Sequence, residues 1–167
     1  DFYIGLPESE HHRVANLVGP NHARATTTPQ APTPPAAAPS RLFQLALANP
    51  SIRPWKDACS RAWRLAEIAA ANGQANARGI ARVYAATVSD KSPISSNSMA
   101  AARKVEVENA TDLVLQNVTR RSRGFILNSL VGGVGAYGPG RQAYGHGGAG
   151  GSLGFADPET RIGFGYA

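Results

Sequence analysis

His146 is set among glycines, in the run Gly145-His146-Gly147-Gly148-Ala149-Gly150-Gly151. An imidazole can serve there as an acid, a base or a hydrogen-bond donor. On these residues alone it reads as a structural histidine satisfied by a neighbouring carbonyl. His11 and His12 are adjacent, and a pair with no further ligand makes a poor metal site; both read as exposed. Cys59 is the sole cysteine, which leaves no internal disulfide and no cysteine-built metal centre. The stretches Gly132-Gly133-Val134-Gly135 and Gly147 to Gly151 lack the Lys-Ser/Thr ending and strand-to-helix setting of a phosphate loop. Glu67 and Asp157 are far apart in sequence, and Asp157 sits in a turn, so nothing joins them as a carboxylate pair. Arg120, Arg121 and Arg123 form the one compact basic cluster and read as a solvated turn. Tyr84, Trp55 and Trp63 read as packing residues, with a pocket-lining role left open for the tryptophans.

The elements that must position these residues change character along the chain. Residues 1 to 19 are short apolar runs broken by charge. Residues 20 to 40 are rich in Pro, Thr and Ala, a composition that removes backbone donors and favours an extended loop or linker. Leu42 to Leu47 predict a short helix stopped by Asn49-Pro50. Residues 55 to 71 are partly helical in pattern, and Asn72-Gly73 signals a turn. Asn76 predicts an N-cap for a helix to about Thr87, with Ile80, Val83 and Tyr84 on one face. Ser95 or Ser96 predicts the cap of a further helix through Arg103. Asp112 to Leu115 reads as a short strand or turn. The region 41–123 is thus mainly helical in expectation, and 124–167 is antiparallel β-structure: Phe125 to Leu127, Tyr144 to Gly148, Ser152 to Ala156 and Ile162 to Tyr166. Asp157-Pro158-Glu159-Thr160 supplies a hairpin turn between the last two. The fold class expected is α+β.

Composition bounds the rest. The chain has 167 residues, 43% of them hydrophobic, and fourteen of its eighteen glycines lie at or after Gly124. That length suits one ordinary domain. No apolar run is long enough to span a bilayer, and the start, Asp1-Phe2-Tyr3-Ile4, has no signal-peptide pattern. It reads as a cut end, and cytoplasmic and secreted homes both stay open. The net charge of +6 and pI of about 10.0 raise polyanion binding as a reading. The bases are dispersed, however, without an aromatic-rich basic stripe or a nucleic-acid motif, so nucleic acid is not the favoured partner.

The run from Gly145 to Glu159 resembles the third active-site box of the β-lactamase-related serine hydrolases, a group with class C β-lactamases, D,D-peptidases and related esterases. Ile162-Gly163-Phe164-Gly165-Tyr166 is similar to the strand after that box. Ala66 to Gly73 followed by Asn76 to Tyr84 looks like the family's turn-plus-helix segment. Phe2-Tyr3-Ile4-Gly5-Leu6-Pro7 resembles the stretch after the second box. The match is weak over residues 20 to 60 and 88 to 111.

The resemblance implies a chemistry with three parts. A Ser-x-x-Lys supplies the nucleophile and a base, a Tyr-centred second box assists proton transfer, and the third box lies on an edge strand beside the nucleophile, facing the oxyanion. Of the serines at 9, 40, 51, 60, 89, 92, 95, 96, 98, 122, 129 and 152, none has a lysine three places on. The second box is absent as well. By resemblance His146 takes the lysine position of the third box, Gly147 and Gly148 the next two, and Ala149 would offer its backbone N–H to a developing oxyanion. A histidine in that place is more typical of the esterase-like members than of β-lactamases.

The expectation is therefore the C-terminal part of a β-lactamase/transpeptidase-like fold, incomplete at both ends. It would belong to a serine hydrolase acting on a small-molecule ester or amide and would be inactive by itself. No cofactor and no metal is implied. The alternative is a non-catalytic binding module, a degenerate relative. Unpaired strand edges predict self-association.

Overall fold

The computed structural model describes residues 1–19, 40–46, 48, 51–52, 54–129, 135–148 and 150–167. The elements run β1 (Phe2–Tyr3), a 3-10 turn (Glu8–Arg13), α1 (Arg41–Ala46), α2 (Pro54–Asp57), α3 (Arg61–Leu65), β2 (Gln74–Ala75), α4 (Ala77–Thr87) and α5 (Ser96–Arg103). They continue through β3 (Val105–Thr111), β4 (Val118–Ser122), β5 (Ile126–Leu127), β6 (Tyr144–Gly147), β7 (Leu153–Asp157) and β8 (Ile162–Tyr166). The chain divides into two compact units, Tyr3–Gln74 and Asp1–Phe2 with Ala75–Ala167. Strands β1 and β2 form a pair of their own. The proline-rich loop, the Asn49-Pro50 stop signal, Gly132 to Val134 and Ala149 lie outside the described residues. Among the described residues no helix is long and apolar enough to cross a membrane.

The Tyr3–Gln74 unit relies on side-chain clamps on backbone. Ser60 caps α3, its hydroxyl accepting from Trp63 N at 3.2 Å. Asn72 is buried and closes the chain after α3: its amide nitrogen donates to the carbonyls of Trp63, at 2.8 Å, and of Ala66, and its Oδ1 accepts from Ile68 N at 3.0 Å. The reversal expected at Asn72-Gly73 thus falls at residues 69–71, with Asn72 as the residue that fixes it. Arg61 forks onto Glu8, Nε to Oε1 at 2.5 Å and Nη2 to Oε2 at 2.8 Å. Trp63 is half-buried. Trp55 is 53% exposed, so the packing role read for it does not hold.

The larger unit is built on a six-stranded antiparallel sheet in the order β3-β4-β5-β6-β7-β8, so each strand lies beside its neighbour in sequence. Asn76 caps α4, its Oδ1 accepting from Gly79 N at 2.8 Å, and Ser95 caps α5 through Ser98 N at 3.1 Å. Both helices end where the sequence predicts. Helix α4 lies on β7 and β8 at backbone distance. A methyl group added at Gly163 would stand 2.6 Å from Ala81 O, and one at Gly165 would stand 2.6 Å from Ala81 N. Glycine is therefore what lets Ala77 and Ala81 seat on the sheet. Met99, Leu127, Tyr144 and Ala156 form one buried cluster, with Tyr84, Val88 and Phe125 packed against it. Ile126, Tyr137 and Ala143 form a second, with Leu153 and Phe155. Ring stacking continues outward from Tyr137 to Phe155 (5.5 Å) and Phe164 (4.9 Å).

The region 41–123 holds all five α-helices of the described residues but ends in two strands absent from the expectation, β3 and β4, at 105–111 and 118–122. Every residue of β3 is exposed, so no buried apolar face marks it in the sequence. It is held by charge across the pair: Glu108 to Arg120 at 2.9 Å, Asp112 to Arg121 at 3.2 Å and Glu106 to Arg123 at 3.0 Å. The reading of the arginine cluster is corrected. Arg120 and Arg121 lie on β4, and only Arg123 is in the bend after it.

Candidate functional site

Strand β6 lies inside the sheet, yet half of it behaves as an edge. On one side β7 pairs along its length, His146 opposite Gly154 and Gly147 opposite Leu153. On the other, β5 reaches only Tyr144 and Gly145, because the chain before it folds back in a tight turn in which Phe125 O accepts from Ser122 N at 3.0 Å. Gly148 N donates to Ser152 O at 2.7 Å, which closes the β6–β7 hairpin. Hydrogen-bonding directions alternate along an antiparallel strand, so the peptide groups of Gly147, one residue back, point away from β7. No strand is paired there among the described residues.

The side chains follow the same logic. His146, Gly147 and Gly148 are exposed. Nδ1 of His146 lies 2.6 Å from Gly147 O. A carbonyl only accepts, so Nδ1 carries the proton at this contact. Nε2 has no partner among the described residues. A neighbouring carbonyl thus holds the ring, and one nitrogen stays available. A methyl at Gly148 would displace only the Ser152 hydroxyl, the movable end of a side chain, and one at Gly147 would only reach 3.9 Å from Ser152 O. The bare backbone at Gly147 is therefore not imposed by packing, and it leaves the open edge accessible.

Behind His146 stands a phenolic cluster that sequence pattern reads only as core. Tyr84 from α4 covers Gly154, the residue opposite His146, so closely that a methyl on Gly154 would meet its ring. Burial raises the Tyr84 phenol above its ordinary value, with Tyr144 adding to the rise and the nearby His146 backbone opposing it. Tyr144 is also raised by burial, against the opposing effects of a 2.6 Å bond to Thr87 Oγ1 and of Arg103. The helical spacing of Ile80 and Tyr84 could have marked Tyr84 as facing the sheet, but nothing in that spacing shows which strand residue it meets.

Of the predicted site residues, His146, Gly147 and Gly148 share this edge, and Ala149 lies outside the described residues. Asp157 is engaged in its hairpin turn, accepting from Glu159 N and Thr160 Oγ1 at 2.9 Å each. His11 and His12 each contact a carbonyl of their own segment, Leu6 O at 3.2 Å and Ser9 O at 2.8 Å.

Comparison with known proteins extends these observations over the whole chain. The family model described as Beta-lactamase matches residues 1–167. The crystal structure of a family VIII carboxylesterase matches 100% of the chain with a TM-score of 0.75 and 39% identity, the chain covering 40% of that protein. A penicillin-binding protein homolog from Caulobacter crescentus also matches 100% of the chain, with a TM-score of 0.72, 35% identity and 42% coverage of its own length. EstA from Arthrobacter nitroguajacolicus Rue61a matches 98% of the chain, with a TM-score of 0.71, 29% identity and 42% coverage. The chain thus spans about two fifths of the length of these relatives. No curated protein gives a significant match.

Proposed function

Since the chain belongs to the β-lactamase family of serine hydrolases and has the corresponding part of its fold, we propose that it forms the third-box portion of an esterase-like enzyme. That enzyme acts by acyl transfer on a small-molecule ester or amide. The single observation that carries this reading is the open half of β6. There the exposed His146 ring and the unobstructed Gly147 backbone share one edge, within a chain that the family model matches from end to end.

In the whole protein a serine oxygen adds to the substrate carbonyl and its proton passes to a lysine–tyrosine pair. The tetrahedral oxyanion is met by backbone N–H groups, that of Ala149 by resemblance and that of Gly147, on the open edge, by the strand geometry. Expulsion of the alcohol or amine leaves an acyl-serine, and water then releases the acid. His146, with Nε2 unpartnered among the described residues, is placed to donate or accept a hydrogen bond at the leaving group or the bound carbonyl. No serine of this chain stands three before a lysine, so we propose that the chain alone does not turn substrate over.

The test is hydrolysis of a short-chain chromogenic ester by the purified chain beside a His146→Ala version. No turnover in either is expected. Turnover that falls with the substitution would mean that a nucleophile resides in these residues. Reading the gene upstream of Asp1 completes the test. A Ser-x-x-Lys in frame supports the hydrolase, and its absence leaves a non-catalytic binding module.

A further inference from the structure

At the Gln142 end of β6, away from the open edge, a cleft of about 360 Å³ lies between the end of α5 with the start of β3 and the strands β4 and β5. Leu127 and Val105 give it apolar surface, and Arg103, Lys104, Arg120 and Arg141 bring four positive charges to its walls. Among the described residues a single carboxylate answers them. Glu108 takes Arg120 Nε at 2.9 Å and Arg141 Nη2 at 3.2 Å, and Arg120 first, with Arg141, holds it below the ordinary carboxylate range. Arg103 donates Nε to Met99 O at 3.3 Å and stands 5.5 Å over the Tyr144 ring. Neither Arg103 nor Lys104 has a carboxylate partner among the described residues.

Arg120 is the informative residue. Its side chain is 8% exposed. Nη1 reaches the carbonyls of Asn128 (3.4 Å) and Arg141 (3.2 Å), while Nη2 has no partner among the described residues and keeps some solvent contact. The guanidinium is thus embedded, with one end turned to the cleft. Glu108 serves both Arg120 and Arg141, so four bases and one carboxylate leave three positive charges in surplus at the cleft.

We infer that this cleft binds a small organic phosphate. Guanidinium forks match the spaced oxygens of a phosphoryl group, and a dianion answers more of the surplus charge than a carboxylate does. The apolar surface and a volume in the range of small-molecule sites leave room for an attached organic group. This inference is independent of the acyl-transfer reading, because it uses none of the open-edge residues.

Isothermal titration of the 167-residue chain at fixed ionic strength tests it, with phenyl phosphate, inorganic phosphate and benzoate as probes. Saturable binding is expected, tightest for phenyl phosphate, weaker for inorganic phosphate and weakest for benzoate. Lys104→Gln, an exposed substitution, and Arg103→Gln should each weaken phenyl phosphate by about tenfold, as expected for losing one hydrogen bond to a charged group. Circular dichroism of both variants verifies that they are folded. Absence of saturable binding overturns the inference. So does equal binding by the native chain and Lys104→Gln, or equal binding of phenyl phosphate and benzoate. Equal affinity for phenyl phosphate and inorganic phosphate overturns the organic part of it.

Discussion

At the residue scale, single polar side chains do work that a larger core would do elsewhere. Asn72 is the clearest case, because one buried amide satisfies three backbone groups of the chain that follows α3. Asn72→Ala removes all three bonds and leaves buried carbonyls without donors, a loss of about 2–3 kcal/mol for the Tyr3–Gln74 unit. Urea denaturation followed by Trp63 fluorescence measures it; an unchanged midpoint would show that water replaces the amide without loss. The sequence marks this position as a turn, since asparagine before glycine suits one. It does not reveal that the turn lies one step earlier and that the side chain points inward. The same limit applies at His146. Its glycine setting is legible, whereas the Nδ1–H bond to Gly147 O and the free Nε2 follow from the hairpin that folds β6 against β7.

At the element scale, the contact of α4 with β7 and β8 depends on what is missing. Gly163 and Gly165 allow the helix to approach the strand backbone, and Gly154 makes room for the Tyr84 ring. Gly163→Ala should destabilise the larger unit by about 2–3 kcal/mol, as overpacking does in a close-set contact. Gly150→Ala serves as the control, because a methyl there has nothing within 4 Å. Thermal melts of the two variants decide the point, and equal melting temperatures would mean that the helix can move off the sheet without loss. Helices α4 and α5 are legible because each starts at a side chain that accepts from a backbone N–H three residues on. Strands β6 to β8 are legible from their turn signals. Strands β3 and β4 escape because their residues pair by charge, with bulges between Val105 and Ala110 that break the two-residue alternation.

At the scale of the whole molecule, ionisation and exposed strand edges set the behaviour. Glu108 is held below its ordinary 4.5, first by the Arg120 hydrogen bond, and Asp112 below its ordinary 3.8, first by the Leu115 backbone amide. A lowered folded-state value means stability that is present above the unfolded value and is lost as pH falls through the folded one. The β3–β4 pair should therefore loosen progressively below pH 4.5. Tyr84, Tyr137 and Tyr144 are raised above 10.0 by burial. Their contribution is complete below pH 10.0 and is lost as pH rises through the raised values. Ultraviolet titration should show delayed phenol ionisation ending in alkaline unfolding; smooth ionisation near 10.0 would show that the clusters are open to water.

Strand β8 ends the sheet with Ile162, Phe164 and Tyr166 exposed and no charge of its own. Such an edge invites pairing between molecules. Sedimentation of the chain should depend on concentration, and Tyr166→Lys should shift it toward the monomer. A monomer at all concentrations would show that the edge is protected.

The sequence by itself determined the α+β class, the two capped helices, the hairpins of the last third and the family kinship. Each of these rests on local chemistry: a cap, a turn, or a block of residues read in order. Only the tertiary structure decided that β5 stops short of His146, that Arg120 is an embedded cation beside a cleft, and that Tyr84 lies against Gly154, opposite His146. Those facts depend on which segments lie side by side, and side-by-side placement is set by long-range pairing and packing that no local pattern carries.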